Sequence, residues 1–269
     1  MFRQAMFRLL LAALFVFGST VLAENLPEDP ASSGIAEFNA AYKTWNAEGF
    51  AAAANLFAKA AKLEPGSVIY RYWQGVSQFH RMLQIESQPG GKENPHAKMA
   101  MEAATAAFEE ALELDAEHAE SHALLATLFG MKIHNNMLSA VRYGPMLQQH
   151  QKEAMRLGAK NPRVKYLLGV GLVHTAKDDE AKRKALDTLL AAEKLFAEEA
   201  AQTGDPLSPR WGAVSCRTFI GVAYKMLGRN AEAIDYFNRA LAEQPSDHIA
   251  QQQLTAITKE ETNKETAAP

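Results

Sequence analysis

His118 and His122 stand four residues apart in His118-Ala119-Glu120-Ser121-His122, a spacing that lays two imidazoles on one helical face beside a carboxylate. A zinc-protease helix needs its acid directly after the first histidine. Ala119 holds that place here, Glu120 comes one later, and His118 falls in the turn before the helix, so no metal site is expected. Gly169-Val170-Gly171-Leu172-Val173-His174 begins like a dinucleotide loop, but it lacks a third glycine and a preceding strand and reads as a packed helix. Gly90-Gly91-Lys92 lacks the upstream glycine of a phosphate loop. Cys216, beside Arg217 in an alanine-like helical position, reads as an inert buried thiol. Charges such as Lys59, Lys62, Glu110 and Glu113 suit solvated helix faces. No constellation joins a nucleophile to a base, so the expectation is a protein that is not an enzyme and holds no cofactor and no metal.

The elements that carry these side chains are helical. Alanine accounts for 48 of the 269 residues and occurs in runs such as Ala51-Ala52-Ala53-Ala54, which favour helix over sheet. With 28 bases against 31 acids and no basic cluster, a nucleic-acid partner is not expected. A hydrophobic content of 48% excludes disorder except at the ends.

The first 23 residues read as an export signal. Arg3 and Arg8 form a positive start, Leu9 to Phe17 an apolar core, and Val21 and Ala23 the small residues of a cleavage site after Ala23. The apolar core is shorter than the roughly 20 residues of a spanning helix. Cleavage leaves 26 bases against 31 acids, a formal charge of −5. A periplasmic or secreted location follows as an expectation, with no stable membrane insertion after cleavage. The lone Cys216 leaves the fold to be held by packing rather than disulfides. Residues 24–34, with Pro27, Pro30, Ser32 and Ser33, read as a flexible leader, and 260–269 as a disordered tail.

Between these ends a period of about 34 residues is visible. Counted from Val214, Gly221, Tyr224, Gly228, Ala233, Phe237, Ala240 and Pro245 occupy positions 8, 11, 15, 20, 24, 27 and 32. Gly221 and Ala233 allow two helices to approach, Gly228 suits the turn between them, and Pro245 ends the second. The unit resembles a tetratricopeptide repeat, with Arg217 where that pattern has tryptophan. Ala53, Phe57, Ala60 and Pro65 repeat the second-helix spacing; so do Ala104, Phe108 and Ala111, which arrive late after a loop. Leu147, Ala154 and Met155, then Ala185, Leu189 and Ala192, supply looser copies. The expectation is an all-α, right-handed solenoid of about five hairpins, at about 35–66, 67–116, 119–160, 163–203 and 214–247, closed by a capping helix at 247–259. Residues 35–259 then form one solenoid domain. Two stretches, 84–96 and 134–145, exceed a repeat turn; the second leads into a helix expected to start at Gly144-Pro145.

The resemblance is to an exported bacterial tetratricopeptide protein, and it implies a concave groove walled by the first helices. On that alignment the groove is lined by Tyr72, Phe79 and His80, by Met131 and His134, by Arg163, Tyr166 and His174, and by Lys225. Tyr166 and Phe79 also suit packing between repeats. The function implied is a scaffold that binds a protein or peptide in this groove. The alternative is a structural role in which the outer face and the two insertions build an oligomer or envelope assembly.

Overall fold

A computed structural model of the protein describes residues 29–133 and 137–267, with side chains described through Glu260. The expected signal, the leader up to residue 28 and His134 lie outside the described residues. Eleven α-helices and no strand are present among the described residues. The first ten form successive pairs: α1 (Pro30–Thr44) with α2 (Ala47–Leu63), α3 (Val68–Glu86) with α4 (Pro95–Leu114), α5 (Ala119–Ile133) with α6 (Met137–Leu157), α7 (Pro162–Thr175) with α8 (Asp179–Ala200), and α9 (Ala213–Met226) with α10 (Asn230–Glu243). The last helix, α11 (His248–Ala267), packs on α10 and α9.

Local chemistry sets most of the starts. The side chains of Asn46, Asn94, Asn161 and Asp178 accept hydrogen bonds from the first free N–H groups of α2, α4, α7 and α8. Pro95 and Pro162 occupy first helical positions, where no N–H is needed. Within a pair, a glycine on one helix receives a large side chain from the other. A Cβ on Gly75 would lie 2.6 Å from the Phe108 ring, one on Gly221 2.6 Å from Phe237, and one on Gly169 2.7 Å from Leu189. These close approaches bring the apolar stripes together, and one buried core runs from Phe38 to Ala223.

Three expectations about boundaries are corrected. The leader, expected to reach residue 34, gives way to α1 at Pro30, because Asp29 accepts from the N–H groups of Ala31 and Ser32 and the helix buries Ala31 and Gly34. The polar residues 260–267, expected to be a disordered tail, continue α11. The stretch 137–145 belongs to α6, so the helix does not start at Gly144-Pro145. Pro145 faces solvent, and the Val141 carbonyl it leaves without an N–H is on an exposed residue where water can satisfy it. The stretch 84–96 divides into the end of α3, a 3-10 turn at Gly91–Glu93 and the start of α4.

Candidate functional site

The first helices α3, α5 and α7 turn one face inward, and the chain itself covers that face. Residues 201–212, between α8 and α9, cross it as a strap. Gly212, at φ 102°, makes the turn into α9, and the strap's Trp211 is buried. The Trp211 indole N–H donates to Tyr72 Oη at 2.9 Å, and its ring stands edge-on to His80 at 5.1 Å. The Trp73 indole N–H donates to the Leu207 carbonyl at 2.8 Å, which fixes the middle of the strap. Arg210 ties its base to the carbonyls of Glu199 and Gln202 at 2.7 and 2.9 Å.

Beneath the strap lies a buried ionic network. Tyr72 Oη donates to Glu120, in the first turn of α5, where a carboxylate also meets the positive end of the helix. Glu120 Oε1 accepts from Asn161 Nδ2 at 2.7 Å and from Arg163 Nε at 2.8 Å. The other side of the Arg163 guanidinium forks onto Glu199 at 2.5 and 2.9 Å. Tyr72 is 0% exposed and Arg163 3%. Burial opposes the Arg163 charge, but Glu120 and Glu199 outweigh it and hold the guanidinium protonated. Burial, then the neighbouring Glu120, pushes the Tyr72 phenol well above its ordinary value, so it remains a donor.

A second seam joins the ends of the array. Tyr42 Oη lies 3.2 Å from Ser215 Oγ, Gln244 Nε2 donates to the Tyr42 carbonyl at 3.1 Å, and Ser246 Oγ donates to the Lys43 carbonyl at 3.1 Å. The Trp45 ring lies 5.9 Å from the His248 ring.

The residues expected to line an open groove are redistributed by this closure. Tyr72, Phe79, His80, Arg163 and Tyr166 are buried, and as surfaces for a partner they are corrected to core: strap, neighbouring helices and ion pairs already occupy them. His80 Nδ1 donates to the Val76 carbonyl at 2.8 Å, and burial pushes its imidazole down to about 4. Met131 is half-buried against the core. Lys225 is half-buried, donates to Gln253 at 3.2 Å and lies 3.5 Å from Glu260. His174 remains exposed, with its ring 5.9 Å from Phe219.

The other histidines separate. His118 Nδ1 accepts from the Ser121 backbone N–H at 3.3 Å and lies 2.8 Å from its hydroxyl, capping the start of α5. His122 turns to α6, where its Nδ1 meets His150 Nδ1 at 2.8 Å. His122 Nε2 donates to the Ala116 carbonyl at 3.0 Å. Burial and the neighbouring His122 bring His150 to about 4. Among the described residues no three His, Cys, Asp or Glu side chains gather as metal ligands. Cys216 is buried, with its thiol directed at the Leu189 carbonyl and raised by burial, so it is a poor nucleophile. Glu120, Asn161, Glu199 and Trp211 were missed. The one usable signal was a lone tryptophan closing the polar segment Gly204 to Arg210, where a large ring has little reason to sit unless it is anchored.

The arrangement of paired helices has counterparts among solved structures. TTC0263, a thermophilic TPR protein of Thermus thermophilus, is 16% identical with a TM-score of 0.57, over 84% of this chain and 96% of that one. YrrB, a TPR protein with an unusual peptide-binding site, is 16% identical with a TM-score of 0.37, over 84% and 92%. MamA is 15% identical with a TM-score of 0.36, over 81% and 93%. No curated protein matches the chain. The fold is thus that of a tetratricopeptide-like helical-repeat protein. More narrowly, the chain belongs to the family Regulator of microtubule dynamics protein 1-3, whose model matches residues 72–264.

Proposed function

We propose that the protein is an exported, non-catalytic scaffold that binds a protein partner through its outer helices. The observation that carries this reading is the strap: with Trp211 and Leu207 bonded to Tyr72 and Trp73, the inner wall is already occupied, and the surface offered to a partner is the outer one. The groups best suited to chemistry also have structural work, His80 on the Val76 carbonyl and Cys216 beneath burial. Export rests on the sequence of residues 1–23, and a periplasmic or secreted place follows from it.

Photo-crosslinking side chains placed singly at exposed outer positions (Lys59 on α2, Glu109 on α4, Lys184 on α8) and at the inner position His174 test the surface. Protein adducts are expected from outer positions; adducts from His174 alone overturn the reading in favour of the groove. For export, the mature product is expected to begin at Glu24, and a chain that keeps Met1 in the cytoplasm overturns that part.

A further inference from the structure

Helix α6 is fastened to the array mainly by α5. Tyr143, Leu147 and Ala154 pack into the core from α6, and the Phe129 ring of α5 stacks on Tyr143 at 5.9 Å and on His150 at 5.7 Å. Contact with α7 is sparse and falls at the C-terminal end, where Gly158 packs against Val164. With so little apolar burial, the polar tie between the two helices carries more of the docking. That tie is the His122–His150 pair. Its Nδ1 atoms are 2.8 Å apart and its ring centroids 5.1 Å, so the nitrogens face each other on the line between the rings. Such a bond holds one hydrogen: one imidazole donates and the other offers a lone pair. The other nitrogen of His122 is bonded to the Ala116 carbonyl at 3.0 Å. One added proton leaves the bond intact, because a cation can donate to a neutral ring. A second sets N–H against N–H and two positive charges side by side. A metal ion fits this geometry less well, since its ligands must converge on one point about 2.0–2.1 Å from each nitrogen rather than face each other.

The charges around the pair are engaged elsewhere. On α6, Glu153 is bonded by Arg156 at 2.7 Å, and Arg156 also reaches Glu117 of the preceding turn at 3.6 Å. In that turn Asp115 accepts from the Glu117 N–H at 2.9 Å, and His118 Nδ1 serves Ser121. Glu120 of α5 and Arg163 of α7 hold each other at 2.8 Å, while Glu102 and Glu109 of α4 act on Lys132. Lys152, exposed on α6, adds positive charge. We propose that the His122–His150 pair is an acid-labile clasp: it fastens α6 to α5 while it carries at most one added proton, and a second parts the rings and releases α6. Release bares Phe129, Tyr143 and Leu147. The direction with pH follows from His150, which burial and His122 bring to about 4 in the docked helix against an ordinary 6.5 when free. Docking is therefore full above 6.5 and weakens as pH falls to 4.

The test follows backbone amide exchange, corrected for its intrinsic pH dependence, in the chain from Glu24 onward, with α2 as internal reference. Between about pH 7 and about pH 4.5, amides of 137–157 are expected to accelerate about tenfold relative to α2, a modest figure because His150 is half-exposed. His150→Asn keeps a neutral hydrogen-bonding group at the Nδ1 position, and the acceleration is expected to vanish in it. Equal loss of protection in α2 and α6 overturns the proposal, because the acid effect is then global. So does an acceleration that persists in His150→Asn, or one that appears at pH 7 on adding EDTA, which would assign the pair to a metal. Should His150→Asn already open α6 at pH 7, the imidazole resonances of the unaltered chain decide. The His150 signal is expected to titrate in step with α6 exchange, and a titration complete near 6.5 with α6 still protected overturns the clasp.

Discussion

The helices α2 and α6 occupy equivalent places, each the second of a pair, and they are held very differently. In 17 residues α2 buries Phe50, Ala53, Ala54, Phe57, Ala60 and Ala61, and the Phe57 ring stacks on Trp73 of the next pair at 5.8 Å. In 21 residues α6 buries Ala154 alone. A second helix is secured from two sides only when the following first helix closes over it, and α7 leaves most of α6 uncovered. Position in the array does not determine burial; the neighbour does. The same contrast explains why a proline is accommodated inside α6 without ending it.

Four measurements put this contrast at risk. The largest effect is expected from Phe57→Ala, which opens a cavity in the two-sided core at a cost of about 3–5 kcal/mol in urea or heat unfolding; a cost below about 1 kcal/mol would mean that α2 is no better held than α6. Next comes pH. His80 is neutral in the fold with its ordinary value of 6.5 lowered to about 4, so the unfolded chain takes up the proton first. Stability is therefore full above 6.5 and falls by about 3 kcal/mol as pH drops to 4. In His80→Gln that slope should flatten, and an unchanged slope would place the titration elsewhere. Gly75→Ala is expected to cost about 1 kcal/mol, since its methyl would sit 2.6 Å from the Phe108 ring while gaining helix propensity. The smallest effect belongs to Val141→Ser on α6, within about 0.5 kcal/mol by the same unfolding measurement.

What could be read in advance was local. Gly221 with Phe237 and Gly75 with Phe108 are small-to-large matches within one hairpin, so the repeat period exposes them directly. The inward direction of Tyr72 and His80 was also legible, because helical spacing fixes the face on which a residue lies. What covers that face was not: Trp211 and Tyr72 are 139 residues apart, and no periodicity links them. Glu120 read as a possible acid beside two histidines, whereas its partner Arg163 comes from another pair. Gly144-Pro145 misled for a different reason. Proline at a first helical position is a common start signal, and an exposed proline within a helix carries the same letters.

The seam between the first turn and the last helices sets a limit on how such a chain can evolve. An open array grows or shrinks by whole repeats, since each touches only its neighbours. Here Tyr42, Lys43 and Trp45 must meet Ser215, Gln244, Ser246 and His248. Duplication or loss of one hairpin would carry those partners out of reach, so the seam counts the repeats of this chain.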